Sequence, residues 1–172
     1  MTKNFDIGKR DVIMSGFDAA KLKEVALRAT FEVFDTMFSM EVQEIQQVPE
    51  GFFRDGQIVG SVSFTGDVMG CSRICINQDF AREITCALLG MEPDEIEGDE
   101  EVNDVIAEIS NMIGGGVKSY LCDLGLPCQL SIPSITSGSN FAIETRQWSW
   151  HACCCFRWVQ YLAMVEVCLR SK

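Results

Sequence analysis

Glu108 and Asn111 stand three residues apart in a stretch whose apolar positions repeat with the period of a helix. At roughly 100° per residue, Val102, Val105, Ile106, Ile109, Met112, Ile113 and Tyr120 gather on one face of a helix predicted over about residues 100–124. Asp104, Glu108, Asn111 and Gly115 fall opposite, so a carboxylate and a carboxamide stand side by side toward solvent. A carboxylate can pair with a cation. A carboxamide both donates and accepts, which suits it to holding a water molecule or a phosphoryl oxygen. Such a pair, taken alone, is far more often solvated surface than a site. Gly114, Gly115 and Gly116 follow, each costing a helix about 1 kcal/mol relative to Ala. Either they break the helix, or they clear side chains so that another surface can approach the backbone beside Glu108 and Asn111.

Other constellations offer less. His151 is the one histidine, so any Ser-His or Cys-His nucleophile would depend on it, and its apolar strand context favours a packing or surface role. Gly116-Val117-Lys118-Ser119 has the end of a phosphate-binding loop, but Val117 replaces the glycine before the lysine and a helix precedes it, which argues against nucleotide binding. His151, Cys153 and Cys155 share a strand face with Arg157 and could suggest zinc or a redox centre. Same-face positions on one strand are about 6.6 Å apart, too far to converge on one ion held at about 2.0 to 2.3 Å. Further ligands from another element would be needed, and the sequence nominates none.

The elements that must position the pair are legible in outline. Asp18 can cap a helix in which Leu22, Val25, Ala26, Ala29, Val33, Met37 and Met40 follow the helical period. A second stripe, Leu27, Phe31, Phe34 and Phe38, requires cover on another side, from a neighbouring helix or a second subunit. Strands are predicted at about 41–48, 57–64 and 71–77, the last two joined by a turn through Thr65-Gly66-Asp67-Val68-Met69-Gly70. Gln78 to Leu89 reads as a helix stopped by Gly90, and the acidic stretch Glu92 to Glu101 leads into the 100–124 helix. Cys128 to Arg170 alternates with β-branched and aromatic residues and reads as three strands. The 148–158 strand is apolar on both faces, so a second subunit is a candidate cover for it. The order implies an α+β fold: two related helix-plus-strands halves sharing one largely antiparallel sheet, with helices packed on it.

The 172 residues, 47% apolar, suit a single domain over 1–172, with 1–17 expected to be loosely ordered. The net charge of −11 disfavours nucleic acid, and between Arg82 and Lys118 there are ten carboxylates and no Lys or Arg. No stretch reads as a signal peptide or a membrane span. Nine cysteines, an odd number within apolar runs, read as reduced thiols used as small packing residues, which places the chain in the cytoplasm.

The run Glu108-Ile109-Ser110-Asn111-Met112-Ile113-Gly114-Gly115-Gly116-Val117-Lys118 resembles the motif helix of the CheC/CheX family of chemotaxis phosphatases. Gly66-Asp67-Val68-Met69-Gly70 is similar to the family's hairpin, Ala87-Leu88-Leu89-Gly90-Met91 to its short helix end, and Leu126 to Pro133 to the segment that leaves the motif helix. The likeness spans about Ala19 to Arg170 and the family's α+β fold. It implies hydrolysis of the aspartyl-phosphate of a phosphorylated CheY-like receiver, Asn111 holding water in line with phosphorus and Glu108 pairing with the receiver's lysine. Asp104, Gly114 and Gly115 would border the docking face. The protein would carry no metal or cofactor of its own, the Mg2+ belonging to the receiver. Two-site members bear a similar Glu and Asn on the first helix, where this chain has Glu32 and Asp35. That departure implies one working site and the CheX branch, whose members are homodimers. The competing reading is a non-catalytic receiver-binding module of the same fold, a flagellar motor-switch or adaptor component. A thiol or metal protein built on Cys153 to Cys155 is the third.

Overall fold

The structure is a computed structural model that describes residues 18–171 apart from 48, 50, 53–55, 145 and 146. The expected loose order of 1–17 lies outside the described residues. Helix α1, Ala19–Phe38, begins where the Asp18 side chain accepts from the Lys21 N–H at 2.7 Å, and stops at Ser39, whose φ of 52° turns the chain out of the helix. Leu22, Val25, Ala26, Ala29 and Val33 are buried as the period requires. Met37, expected among them, is 39% exposed, while Met40 beyond the turn fills the core. The second stripe finds its cover within the chain. Phe34 meets Phe156 edge-on at 5.1 Å and lies 6.0 Å from Phe80, so strand and helix neighbours both bury it.

Seven strands follow: β1 (Gln43–Ile45), β2 (Gln57–Gly66), β3 (Val68–Asn77), β4 (Cys128–Leu130), β5 (Ser134–Gly138), β6 (Trp150–Trp158) and β7 (Tyr161–Ser171). β1 is shorter than expected because it lies at the sheet edge and pairs with β6 alone, over three residues. The β2–β3 hairpin runs further than expected, leaving only Asp67 between the strands. Gly66 continues as strand because it pairs with Cys128, and a Cβ there would come within 2.4 Å of the Pro127 carbonyl oxygen. The stretch read as three strands holds four. Pro133, with no N–H to give a ladder, separates β4 from β5, and both pair with β2.

All pairings are antiparallel, in the order β1-β6-β7-β3-β2-β4 with β5 also on β2. The two halves are visible in that order. Each begins with a long helix and contributes a long hairpin, β2–β3 or β6–β7. Each also lends a short strand to the other's hairpin, β1 to β6 and β4 to β2. The hairpins meet at the centre through β3 and β7. Helix α2 (Gln78–Leu89) is capped by the Asn77 side chain on the Phe80 N–H at 2.9 Å and ended by Gly90 in the left-handed region.

α1, α2 and the third helix, α3 (Asp99–Asp123), cover one face of the sheet. Alternate residues of each central strand, such as Ile74 and Ile76, Val165 and Val167, and Cys154 and Phe156, point into this layer and are buried. No helix among the described residues is long and apolar enough to cross a membrane. For β6, the helix side is covered by α1, so a second subunit is not needed there, while His151, Cys153 and Arg157 on its other side are exposed.

Candidate functional site

α3 opens with Asp99, Glu100 and Glu101, whose charge opposes the positive end of the helix dipole. Val102, Val105, Ile106, Ile109, Ile113, Val117 and Leu121 are buried, while Met112 and Tyr120 are half-buried at the margin of the core. The rotation of the helix is fixed by a close approach to β2. Gly60 lies under Ser110, and a Cβ at Gly60 would come 2.0 Å from the Ser110 Oγ. The buried Ser110 hydroxyl donates to the Ile106 carbonyl at 2.6 Å. With Ile106, Ile109, Ser110 and Ile113 all held inward, Asn111, about 100° round the helix from Ser110, falls on the exposed side.

Asp104, Glu108 and Asn111 are all exposed, and neither the Glu108 nor the Asn111 side chain bonds to a described residue. The acid and amide thus keep their hydrogen-bonding capacity for something outside the chain. Asp104 and Glu108, four apart and alike in charge, oppose each other by about 0.2–0.5 kcal/mol. Glu101 Oε2 and Asn103 Oδ1, on the flank of the same helix, are buried without a partner among the described residues.

α3 runs unbroken through Gly114, Gly115 and Gly116, which removes the helix-breaking reading. The three glycines differ in what they face. A Cβ on Gly114 would meet Val62 Cγ2 at 2.4 Å, and one on Gly116 would meet Ala29 Cβ of α1 at 2.8 Å. Gly115 has nothing within 4 Å of that position. Gly114, expected beside the docking face, is therefore a correction: it is buried against β2, and its small size serves sheet packing. Gly115 is the one that leaves the surface bare, one turn beyond Asn111.

Glu108 and Asn111 stand on an exposed helix face and line none of the clefts described below. The larger clefts open elsewhere, one of about 680 Å³ beside α1 lined by Arg28, Phe31, Glu32, Asp35, Met40, Glu41 and Val42. The departing pair Glu32 and Asp35 thus sits at a cleft mouth, exposed. Sequence reasoning passed over Ile132, which is 88% exposed on the segment between β4 and β5. Leu130, two residues earlier, would lie 3.6 Å from a Cβ on Gly114, so this apolar side chain borders the motif helix. The signal was available as an isoleucine before Pro133 in a short polar loop.

None of the nine cysteines is in a disulfide. Burial pushes the Cys75, Cys128 and Cys154 thiols up to about 11, as expected of packing residues. Cys71 differs, lowered to about 7 chiefly by its hydrogen bond with Cys168, with Arg73 adding to the effect. Cys153 and Cys155 do not converge with His151, as strand spacing requires, and the further ligands that the sequence could not nominate come from the neighbouring strand. His151 is brought together with Glu166 and Cys168 of β7, their ligand atoms all within 4.8 Å of one another, because side chains on paired strands converge even where their backbones do not.

A family model described as chemotaxis phosphatase CheX matches residues 58–157. Among solved structures, the chemotaxis protein CheX of Vibrio vulnificus is 27% identical with a TM-score of 0.74, over 90% of this chain and 100% of that one. The CheX of the CheX-CheY-BeF3-Mg2+ complex from Borrelia burgdorferi is 21% identical, TM-score 0.67, over 86% and 97%. Thermotoga maritima FliY shares the fold at 15% identity and a TM-score of 0.60, over 87% and 88%. The search of curated proteins returned no match.

Proposed function

We propose that this chain, which belongs to the CheX family of chemotaxis phosphatases, hydrolyses the aspartyl-phosphate of a CheY-like receiver through Asn111 and Glu108. The observation that carries the reading is an acid and an amide, side by side on an exposed helix face, with no partner among the described residues. A small-molecule enzyme needs a cleft to surround its substrate. A protein whose substrate already sits in a partner's pocket needs the reverse, a projecting surface that enters it. The Borrelia structure, a CheX of this fold in complex with CheY, BeF3 and Mg2+, supports a CheY-like receiver as the partner.

An aspartyl-phosphate is an activated acyl phosphate, so the missing ingredient is an aligned water rather than a strong base or a covalent intermediate. The Asn111 carbonyl accepts a hydrogen bond from that water while the NH₂ donates to a phosphoryl oxygen, holding the water's lone pair toward phosphorus. Glu108 pairs with the receiver's lysine in a charge-assisted bond that fixes the docked position. Asp104 extends the negative surface on which the receiver's cationic groups land, and Gly115 lets the receiver close on the helix. The Mg2+ that neutralises the phosphoryl group is the receiver's.

The second reading is a binding module of the same fold without turnover. Mixing the chain with a phosphorylated cognate receiver separates the two. Accelerated phosphate release under catalytic amounts of the chain supports the phosphatase, and binding with unchanged decay would assign it to the adaptor class. A homodimer belongs to the same proposal, and a monomeric mass by sedimentation at micromolar concentration would remove it.

A further inference from the structure

The sheet face turned away from the helices brings soft donors from three adjacent strands together. Cys168 on β7 lies directly opposite His151 on β6 and Cys71 on β3, and Glu166, two residues along β7, lies opposite Arg73. We propose that His151, Glu166 and Cys168 form a three-residue site for a divalent cation of the zinc class, its fourth position left to water. The site is on the opposite side of the sheet from Glu108 and Asn111 and does not depend on the phosphatase reading.

The geometry is close to what such an ion needs. The Nε2 of His151, a carboxylate oxygen of Glu166 and the Sγ of Cys168 lie within 4.8 Å of one another. His151 Nε2 is 2.7 Å from Glu166 Oε1, a hydrogen-bond distance. An ion between them, at about 2.0–2.2 Å from each atom with tetrahedral angles, requires them about 3.3 Å apart. The adjustment of roughly 0.6 Å falls on His151, whose side chain is 48% exposed and free to swing. Glu166 and Cys168 stay on a central strand held on both sides.

Arg73 supplies the supporting shell. Its Nη2 holds the second carboxylate oxygen, Glu166 Oε2, at 2.5 Å and lies 3.8 Å from Cys168 Sγ. That contact orients the carboxylate so that Oε1 faces His151. A sulfur and an imidazole favour a zinc-class ion over Mg2+ or Ca2+, which take oxygen. An opening of about 230 Å³, lined in part by Arg73, Glu166, Phe141 and Ile143, borders the Glu166 edge of the cluster.

The test uses the full chain, kept reduced by a phosphine that does not chelate, dialysed against Co2+ or Zn2+ alone. One equivalent of bound ion per chain is expected, with a thiolate-to-cobalt charge-transfer band in the near ultraviolet. Cys168→Ser should abolish the band, and His151→Gln, at an exposed side chain and with circular dichroism unchanged, should weaken binding at least about tenfold. Cys122→Ser should leave both intact. An absence of bound ion and band in the reduced wild type would overturn the proposal, leaving an ion pair beside two thiols. A band that survives both Cys168→Ser and His151→Gln would overturn it equally, by placing the ion on other cysteines.

Discussion

α1 and α3 use one device twice. Each is a long amphipathic helix that opens its half of the sheet, and they touch where Gly116 allows Ala29 to approach. Each presents an exposed acid with a second polar residue three positions on, Glu32 with Asp35 and Glu108 with Asn111. The difference is one functional group. Asp35 offers only acceptors and a second negative charge, whereas Asn111 offers an N–H beside its carbonyl. The surroundings differ as well, since the α1 pair lines a cleft that includes Arg28 and Phe31, while the α3 pair projects from an open face with Gly115 beyond it. Fold symmetry therefore does not carry chemical symmetry. A helix face becomes a site for an anionic phosphoryl group only where the second group can donate and the surface can enter a partner.

The comparison can be broken first at Asn111. Asn111→Asp keeps size and exposure but converts the α3 pair into the α1 pair. It should lower receiver dephosphorylation by about 100-fold or more, the usual cost of losing a donor to a transition-state oxygen. Activity near wild type would show that the amide is not what separates the two helices. Glu108→Ala comes next, with docking weakened by about 10-fold to 100-fold, as the loss of a charge-assisted bond implies. Titration of the chain against a receiver in its phosphorylated state reads this, and added Mg2+ should restore little.

Gly115→Ala is expected to raise stability by about 1 kcal/mol, since its side chain would enter open space within a helix. The same change should slow dephosphorylation by a few-fold. Chemical denaturation and turnover measured on one preparation would expose the opposite signs, and a rise in both would mean that Gly115 does not serve docking. Gly114→Ala, by contrast, should destabilise by about 1–3 kcal/mol through its collision with Val62. The smallest effect belongs to Asp35→Asn, which recreates a Glu–Asn pair on α1. Turnover should stay within about twofold of wild type if the cleft setting, not the amide alone, keeps that face inactive. A clear gain would make the two helices equivalent.

The exposed face of α3 was legible because a 25-residue helix repeats its period many times, and burial of Ser110 under Gly60 only fixed what the pattern had set. The Asp18 cap and the Gly90 stop were equally local. Errors came where a residue's role depended on a distant partner. Gly66 and Gly70 read as turn residues, yet their small size serves approach to β4 and to the Cys168 carbonyl. Gly114 faces a strand some 50 positions away in the chain for the same reason. The Cys168 to His151 and Cys71 neighbourhood depends on the register of three strands, which no run of letters displays. The motif's chemistry was read through resemblance, because a helix face acting on a partner's phosphate has no completed site of its own to recognise.

The most direct measurement is single-turnover phosphate loss from a phosphorylated receiver held saturated by the chain, comparing wild type with Asn111→Ala while recording the bound fraction. The account predicts that the variant still binds the receiver but leaves its phosphate to decay at about the receiver's unaided rate. Wild-type decay in a fully bound Asn111→Ala complex would contradict it.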